Sequence, residues 1–70
     1  MKPVKSSNID AIGYNPTTKV LSVQFKVGGV YHYQDVGQAV YDSFEKAESI
    51  GKFHVQHIRN AYKFIKEEKV

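Results

Sequence analysis

Four basic side chains near the end of the chain have types and spacings that could bind phosphate groups. They are Lys52, Arg59, Lys63 and Lys66. On a helix that turns 100° per residue they fall within about 60° of one another, and no acidic residue interrupts them. The attraction of basic residues to a helix C-terminus is one explanation, but it does not account for Arg59 in the middle of the expected helix. The stripe therefore predicts a surface for nucleic-acid phosphates or for an acidic protein.

The histidines suggest metal binding or acid–base chemistry, and neither is well supported. His54 and His57 are three residues apart, which is a spacing that can give two ligands to one metal ion. No carboxylate lies within one turn of either residue, and His32 falls on a distant predicted strand. No carboxylate, serine or cysteine arrangement completes a catalytic group. We therefore expect a non-catalytic protein with no metal ion and no cofactor.

Two tyrosines, Tyr31 and Tyr33, alternate along a predicted strand and could stack on bases if they face solvent. A two-residue loop at Gly28-Gly29 would turn them outward and would place His32 and Gln34 in the core. A loop with an odd number of residues would turn them inward. Burying the two polar side chains costs more than burying tyrosines whose hydroxyls reach the rim, so we favour inward or edge-on tyrosines. Tyr33 or His32 would then make edge contacts with a nucleic acid.

Three strands are predicted in the first half of the chain, at residues 7–14, 20–27 and 30–34. The second of these alternates clearly between apolar and polar residues. Asn15-Pro16-Thr17-Thr18 has the composition of a turn, and Gly28-Gly29 can reverse the chain. Residues 1–6 are expected to form a flexible arm. Strand-type alternation stops at Gln34, so no strand is expected after residue 52.

Two helices are predicted in the second half. The first has an apolar face at Val36, Val40, Phe44 and Ala47, and the second has one at Val55, Ile58, Tyr62 and Ile65. Asp35 and Gln38 resemble a capping box at the start of the first helix, and Gly51 is placed to end that helix. The predicted fold is α+β, a three-stranded antiparallel meander followed by a helical hairpin packed on one face. The expected core is Leu21, Val23, Phe25, Val40, Phe44, Val55, Ile58 and Tyr62.

Length and charge limit the protein to one small domain, at residues 7–66, with a frayed tail at residues 67–70. The 70 residues contain no cysteine, so disulfides are excluded. The net charge is +3. Residues 37–51 are mainly acidic and residues 52–66 are basic, which would also suit two helices with complementary solvated faces. The first residues lack the apolar run of a signal peptide, and we expect a cytoplasmic protein.

Several of these residues together resemble the KTSC domain, a family found at the C-terminus of some lysyl-tRNA synthetases and as free-standing small bacterial proteins. The similarity covers roughly residues 6–62 and rests on combined spacing rather than on one motif. Its parts are Tyr31-His32-Tyr33, Val40-Tyr41, Ala47 to Phe53 with Ser49 and Gly51, Ile58-Arg59, and Tyr62. Gly37 stands where the family often has proline, so the start of the first helix is expected to be looser here.

The resemblance implies an α+β domain and an association with RNA, because the family is attached to an enzyme that handles tRNA. Together with the basic stripe, it favours an RNA-binding module that uses Lys52, Arg59, Lys63 and Lys66 for phosphates. The alternative is a protein-interaction module. Such a module would dock through the same basic helix face or through an exposed strand edge.

Overall fold

A computed structural model of the chain describes residues 1–67 and shows a five-stranded antiparallel sheet in the order β1-β2-β3-β4-β5. The strands are β1 (Lys2–Pro3), β2 (Ile9–Asn15), β3 (Val20–Phe25), β4 (Val30–Tyr33) and β5 (Phe64–Glu67). Between β4 and β5 come α1 (Gln38–Glu45), α2 (Ile50–Phe53) and a π-helical segment (His54–Ile58) that continues α2 directly. The α+β class is therefore confirmed.

Two strands of this sheet differ from the prediction. β5 lies after residue 52, where a strand was excluded, and it replaces the last turns of the expected second helix. β1 lies within the expected flexible arm: Lys2 pairs with Ile12, and its Nζ atom is 3.3 Å from Glu45 Oε2 of α1. The three-stranded meander is thus the centre of a larger sheet. Glu67 belongs to β5, and the rest of the predicted tail, residues 68–70, lies outside the described residues.

The β3–β4 hairpin decides which way the tyrosines point. Val23 pairs with Tyr31, and the backbone N–H of Phe25 donates to the carbonyl oxygen of Gly29 at 3.0 Å. An odd number of residues therefore lies between the paired positions of β3 and β4. Tyr31 and Tyr33 lie on the same face of the sheet as Val23. Gly28 has φ 106° and Gly29 has φ 95°, which only glycine adopts without strain. The prediction of inward tyrosines is confirmed.

The helix boundaries also differ from the expected signals. Asp35 has φ 57°, and α1 begins after Gly37 with no side-chain cap, so the expected capping box does not form. Gly51 lies inside α2 rather than at the end of α1. Ser49 caps α2, since its Oγ atom accepts from the backbone N–H of Lys52 at 3.3 Å. Among residues 1–67, no helix is both long enough and apolar enough to cross a membrane.

The core lies between the inner face of the sheet and the helices. Leu21, Val23, Phe44 and Ile58 are fully buried, as predicted. Phe25, Val40 and Tyr62 are only partly buried and pack against the core, whereas Val55 is 55% exposed and was wrongly assigned to it. The core also contains residues that were not predicted to be in it. They are Ile9, Ile12, Tyr33, Val36 and Ile50, and His54 is the one buried polar residue among residues 1–67.

Candidate functional site

A groove of about 620 Å³ opens between the β3–β4 hairpin and the helical segment that contains α2. Its aromatic walls come from three neighbouring strands: Phe25 from β3, Tyr31 and Tyr33 from β4, and Phe64 from β5. His54 and Arg59 line it from the helical side. The volume is within the range of about 300–1,000 Å³ that small-ligand pockets occupy.

Tyr31 is the centre of the aromatic wall. Its ring meets Phe25 edge-on, with centroids 5.2 Å apart and an angle of 78° between the planes. On the other side it lies 5.0 Å from the ring of Phe64 at a tilt of 38°. Tyr31 is half-buried and Phe64 is 49% exposed, so part of each ring faces the groove. This wall offers aromatic surface to a planar ligand.

Below it, Tyr33 and His54 form a buried pair at the floor of the groove. The Tyr33 hydroxyl oxygen is 2.7 Å from His54 Nε2. Burial, together with the neighbouring Tyr31, raises the pKa of Tyr33 to about 12. Burial, followed by the charge of Arg59, lowers the pKa of His54. Both groups are therefore neutral at pH 7, and the floor of the groove carries no charge.

The charges around the groove are positive. Lys26 and Arg59 line it, and no aspartate or glutamate does so among the residues that the structure describes. Lys66 Nζ lies 5.7 Å from the centre of the Tyr31 ring. Arg59 is exposed and lies near enough to influence the pKa values of both Tyr33 and His54. An anion that carries an aromatic ring suits this combination of walls and charges.

The predicted basic stripe does not exist as one helix face. The helix ends at Ile58, so Arg59 follows it, Lys63 lies in the connection to β5, and Lys66 is on β5 itself. Only Lys52 remains within a helix, in α2, and it lines a different cavity. Arg59 lines the groove. Lys66 lies next to Tyr31 because β5 pairs with β4, not because of helical spacing.

Tyr33 and His32, the two predicted edge contacts, lie in different places. Tyr33 is 1% exposed, which rules out direct contact between its ring and a ligand outside. His32 lies on the outer face of the sheet, away from the groove. Its Nδ1 atom is 2.7 Å from Ser22 Oγ, and its Nε2 atom is 3.4 Å from Glu67 Oε1. His32 therefore cannot contact a ligand in the groove, and Tyr33 can do no more than close its floor.

The two histidines with the spacing of metal ligands have different neighbours in the structure. His54 forms the floor pair with Tyr33, whereas His57 lies against the ring of Phe53, with centroids 4.7 Å apart. Within residues 1–67, no three histidine, cysteine or acidic side chains come close enough to hold a metal ion together.

The family-motif residues, which are scattered in sequence, converge in the structure. Tyr31, Tyr33, Gly51 and Arg59 all line the groove, while Ile58 is buried beneath it and Ser49 caps α2. Sequence reasoning missed Phe25 and Phe64 as groove residues. Phe64 could not have been predicted because the residues of β5 were interpreted as helix. Phe25 could have been predicted, since a hairpin loop with an odd number of residues places it on the same face as Tyr31.

A family model that describes the KTSC domain matches residues 5–62 of the chain. The crystal structure of a KTSC domain protein from Yersinia pestis superimposes with a TM-score of 0.93 at 35% identity, covering 94% of this chain and 93% of that one. A protein of Tsukamurella paurometabola is 43% identical over 53 residues, which are 76% of this chain and 79% of that protein.

A further relative is a much larger protein. A lysine–tRNA ligase of Nostoc sp. is 33% identical over 64 residues, and the match covers 91% of this chain but 11% of the ligase. The similarity is thus to a small part of that enzyme. Since the family model spans most of the chain and the fold agrees closely with a solved member, this chain belongs to the KTSC domain family.

Proposed function

We propose that this domain is a non-catalytic RNA-binding module that takes an unpaired nucleotide into the aromatic groove. The observation that carries the proposal is the combination of aromatic walls with a positively charged rim and no acidic lining residue among those described. Single-stranded nucleic acids are recognised in this way, by bases stacked on aromatic rings and phosphates held by cations.

Each part of a nucleotide has a partner in the groove. The exposed parts of Tyr31 and Phe64 can stack on a base, and such stacking contributes about 1–3 kcal/mol per base. Arg59 at the rim can bind a phosphate with two N–H groups. Of the four predicted phosphate contacts, Arg59 and Lys66 lie at the groove, and Lys52 and Lys63 are left for neighbouring phosphates.

Two further points support the proposal. One relative is by its name a lysine–tRNA ligase, an enzyme whose substrate is an RNA. Within the described residues, the groove contains no carboxylate, and its histidine is buried and hydrogen-bonded to Tyr33. A non-catalytic binding role fits those two features better than hydrolysis does.

Fluorescence anisotropy with a labelled single-stranded RNA of about ten nucleotides tests the charge contribution. We expect micromolar or weaker affinity near physiological salt, and a slope of log affinity against log salt near −2 to −3, at about 0.7 per phosphate. Arg59→Gln should weaken binding and flatten that slope by about 0.7. Lys46→Gln, which removes the same charge at the end of α1, should change neither. No binding by the wild-type protein at low salt would refute the proposal.

The aromatic contribution is tested separately. Tyr31→Leu should weaken RNA binding about fivefold or more with little change in the salt slope, because stacking rather than charge is lost. Tyr41→Leu is a matched control, since Tyr41 stacks on Tyr14 at 5.0 Å and does not line the groove. Equal effects of the two substitutions would contradict base stacking on Tyr31.

A second candidate function is protein docking through β5. This strand lies at one edge of the sheet, all of its residues are exposed, and Ile65 is 60% exposed. Edge strands can add a strand from a partner. Co-purification before and after nuclease treatment separates the candidates. A partner that remains after nuclease treatment and is lost with Ile65→Pro favours docking, whereas nuclease-sensitive capture favours RNA.

A further inference from the structure

A second cavity of about 570 Å³ lies beside the aromatic groove. The two cavities share Ser7, Asn8, Gly51 and Val55 among their lining residues. They are therefore neighbours along α2 and the segment that follows it. A ligand that is longer than one cavity can contact the lining of both.

The two cavities differ in chemistry. The second cavity has no aromatic side chain among its described lining residues, so it cannot stack a base. It is instead lined by the ammonium groups of Lys5 and Lys52 and the hydroxyl of Ser6, with Glu48 as its acidic residue. Ammonium and hydroxyl groups are suitable partners for a phosphate and a ribose.

The hydroxyl of Ser6 is held in place for such a contact. Its oxygen accepts from the backbone N–H of Asn8 at 3.4 Å, and its own proton donates to no acceptor within the described chain. Ser6 lies close to the helix, since a Cβ atom on Gly51 would be 3.5 Å from Ser6 Oγ. Ser6 and Gly51 are thus near neighbours in the lining of the second cavity.

We infer that the two cavities together bind one internal nucleotide of an RNA strand, with a phosphodiester at each end. This rests on the proposed RNA binding. The base lies against Tyr31, one phosphate lies at Arg59, and the other lies at Lys5 and Lys52. Lys52 lies in α2 and Arg59 directly follows the π-helical segment, so the two cations stand towards opposite ends of this helical stretch.

The charges of the second cavity favour a phosphodiester over a terminal phosphate. Two lysines and Glu48 leave one net positive charge there. That charge matches the single negative charge of a phosphodiester. A terminal phosphomonoester carries about −1.5 to −2 charges at pH 7 and would leave uncompensated negative charge beside Glu48.

The test compares three probes without a label: adenosine, the dinucleotide ApA and the trinucleotide ApApA, which carry no, one and two phosphodiesters. Binding is followed by NMR chemical shifts at low salt. We expect affinity to rise with each phosphodiester. The double variant Lys5→Gln/Lys52→Gln should bind ApApA about fivefold or more weakly, to the level of ApA, because one charged contact is lost. Its affinity for ApA should change less than twofold, because that single phosphate can still occupy the Arg59 end.

A double variant with the same charge change, Lys19→Gln/Lys46→Gln, serves as a control that should bind all three probes as the wild type does. Thermal melting checks that each variant folds. If ApApA loses affinity with Arg59→Gln but not with the Lys5/Lys52 variant, the two-ended site is overturned and RNA binding remains. If ApApA binds no more tightly than adenosine to the wild-type protein, the two-ended site is likewise overturned. If none of the probes binds to the wild-type protein, both the two-ended site and RNA binding are contradicted.

Discussion

The two faces of the sheet carry neighbouring residues of the same strands, but they are stabilised in different ways. On the inner face, Leu21 and Val23 are fully buried, and the aromatic rings of Tyr31 and Tyr33 extend that surface into the groove. On the outer face, Ser22, His32 and Glu67 make a row of hydrogen bonds in partial contact with water. The inner face is thus held by burial, which gives a large free energy per residue, and the outer face by exposed polar contacts, which give little.

Truncation of Phe44 should produce the largest contrast between the faces. Its side chain is 0% exposed beneath the inner face, and Phe44→Ala should lower the free energy of unfolding by about 3–5 kcal/mol. Ile65→Ala on the outer face should cost far less, since Ile65 is 60% exposed. Urea unfolding measures both. Similar losses of unfolding free energy for the two variants would contradict the difference between the two faces of the sheet.

Removal of the hydroxyl of Tyr33 should have the next largest effect. Tyr33→Phe leaves His54 Nε2 without its 2.7 Å partner in the interior, at a cost of about 1–3 kcal/mol. The same change should remove the tyrosine that ionises near pH 12 from an absorbance titration. Tyr31→Phe is the matched control, and we expect it to preserve stability while lowering the pKa of Tyr33, because the neighbouring Tyr31 contributes to its rise.

Acid should destabilise the protein through His54. The fold lowers the pKa of His54, so the unfolded chain binds the proton more readily. Its contribution to stability is complete above the unfolded value of about 6.5 and is lost as the pH falls below that value towards the folded pKa. The slope contributed by this one group cannot exceed about 1.4 kcal/mol per pH unit. Urea unfolding between pH 7 and pH 5 should show this loss of stability, and His54→Gln should flatten the pH profile.

The outer-face row should give the smallest effect. Glu67→Gln removes the charge next to His32, at an N–O separation of 3.4 Å, from a side chain that is 67% exposed. We expect a loss below about 1 kcal/mol, and a smaller loss in high salt. RNA binding should be unchanged, since His32 and Glu67 do not line the groove. A loss of affinity with normal stability would place part of the RNA on the outer face.

The central part of the fold could be predicted from the sequence because its local signals agree with its tertiary contacts. The alternation of β3, the paired glycines and the apolar spacing of α1 all indicate the observed elements. β5 could not be predicted in this way. Its residues Phe64-Ile65-Lys66-Glu67 contain good helix formers, and Ile65 continues the helical spacing from Tyr62. Its strand geometry comes from pairing with β4, which is a tertiary contact.

The candidate site likewise has parts that local sequence signals indicate and parts that depend on tertiary contacts. Arg59 was predicted to bind phosphate from its type and position; the structure places it at the groove, and its phosphate binding stays a prediction. The stripe around it was wrong because the helix ends after a π-helical segment, where the N–H of Arg59 donates to the carbonyl of His54 at 2.8 Å. No residue type marks such a segment in a sequence. The floor pair of Tyr33 and His54 likewise depends on contacts that only the folded chain brings together.

The pairing of β5 with β4 has a consequence for the order in which the protein folds. The two strands are joined by residues 34–63, which include the helices, and the backbone N–H of Gln34 donates to the carbonyl of Lys63 at 2.8 Å to close that long loop. The hairpins β2–β3 and β3–β4 close over only a few residues, so their loop-closure entropy is much smaller. We therefore expect β5 to dock last and open first. Native-state hydrogen exchange should show its amides exchanging well before those of β3.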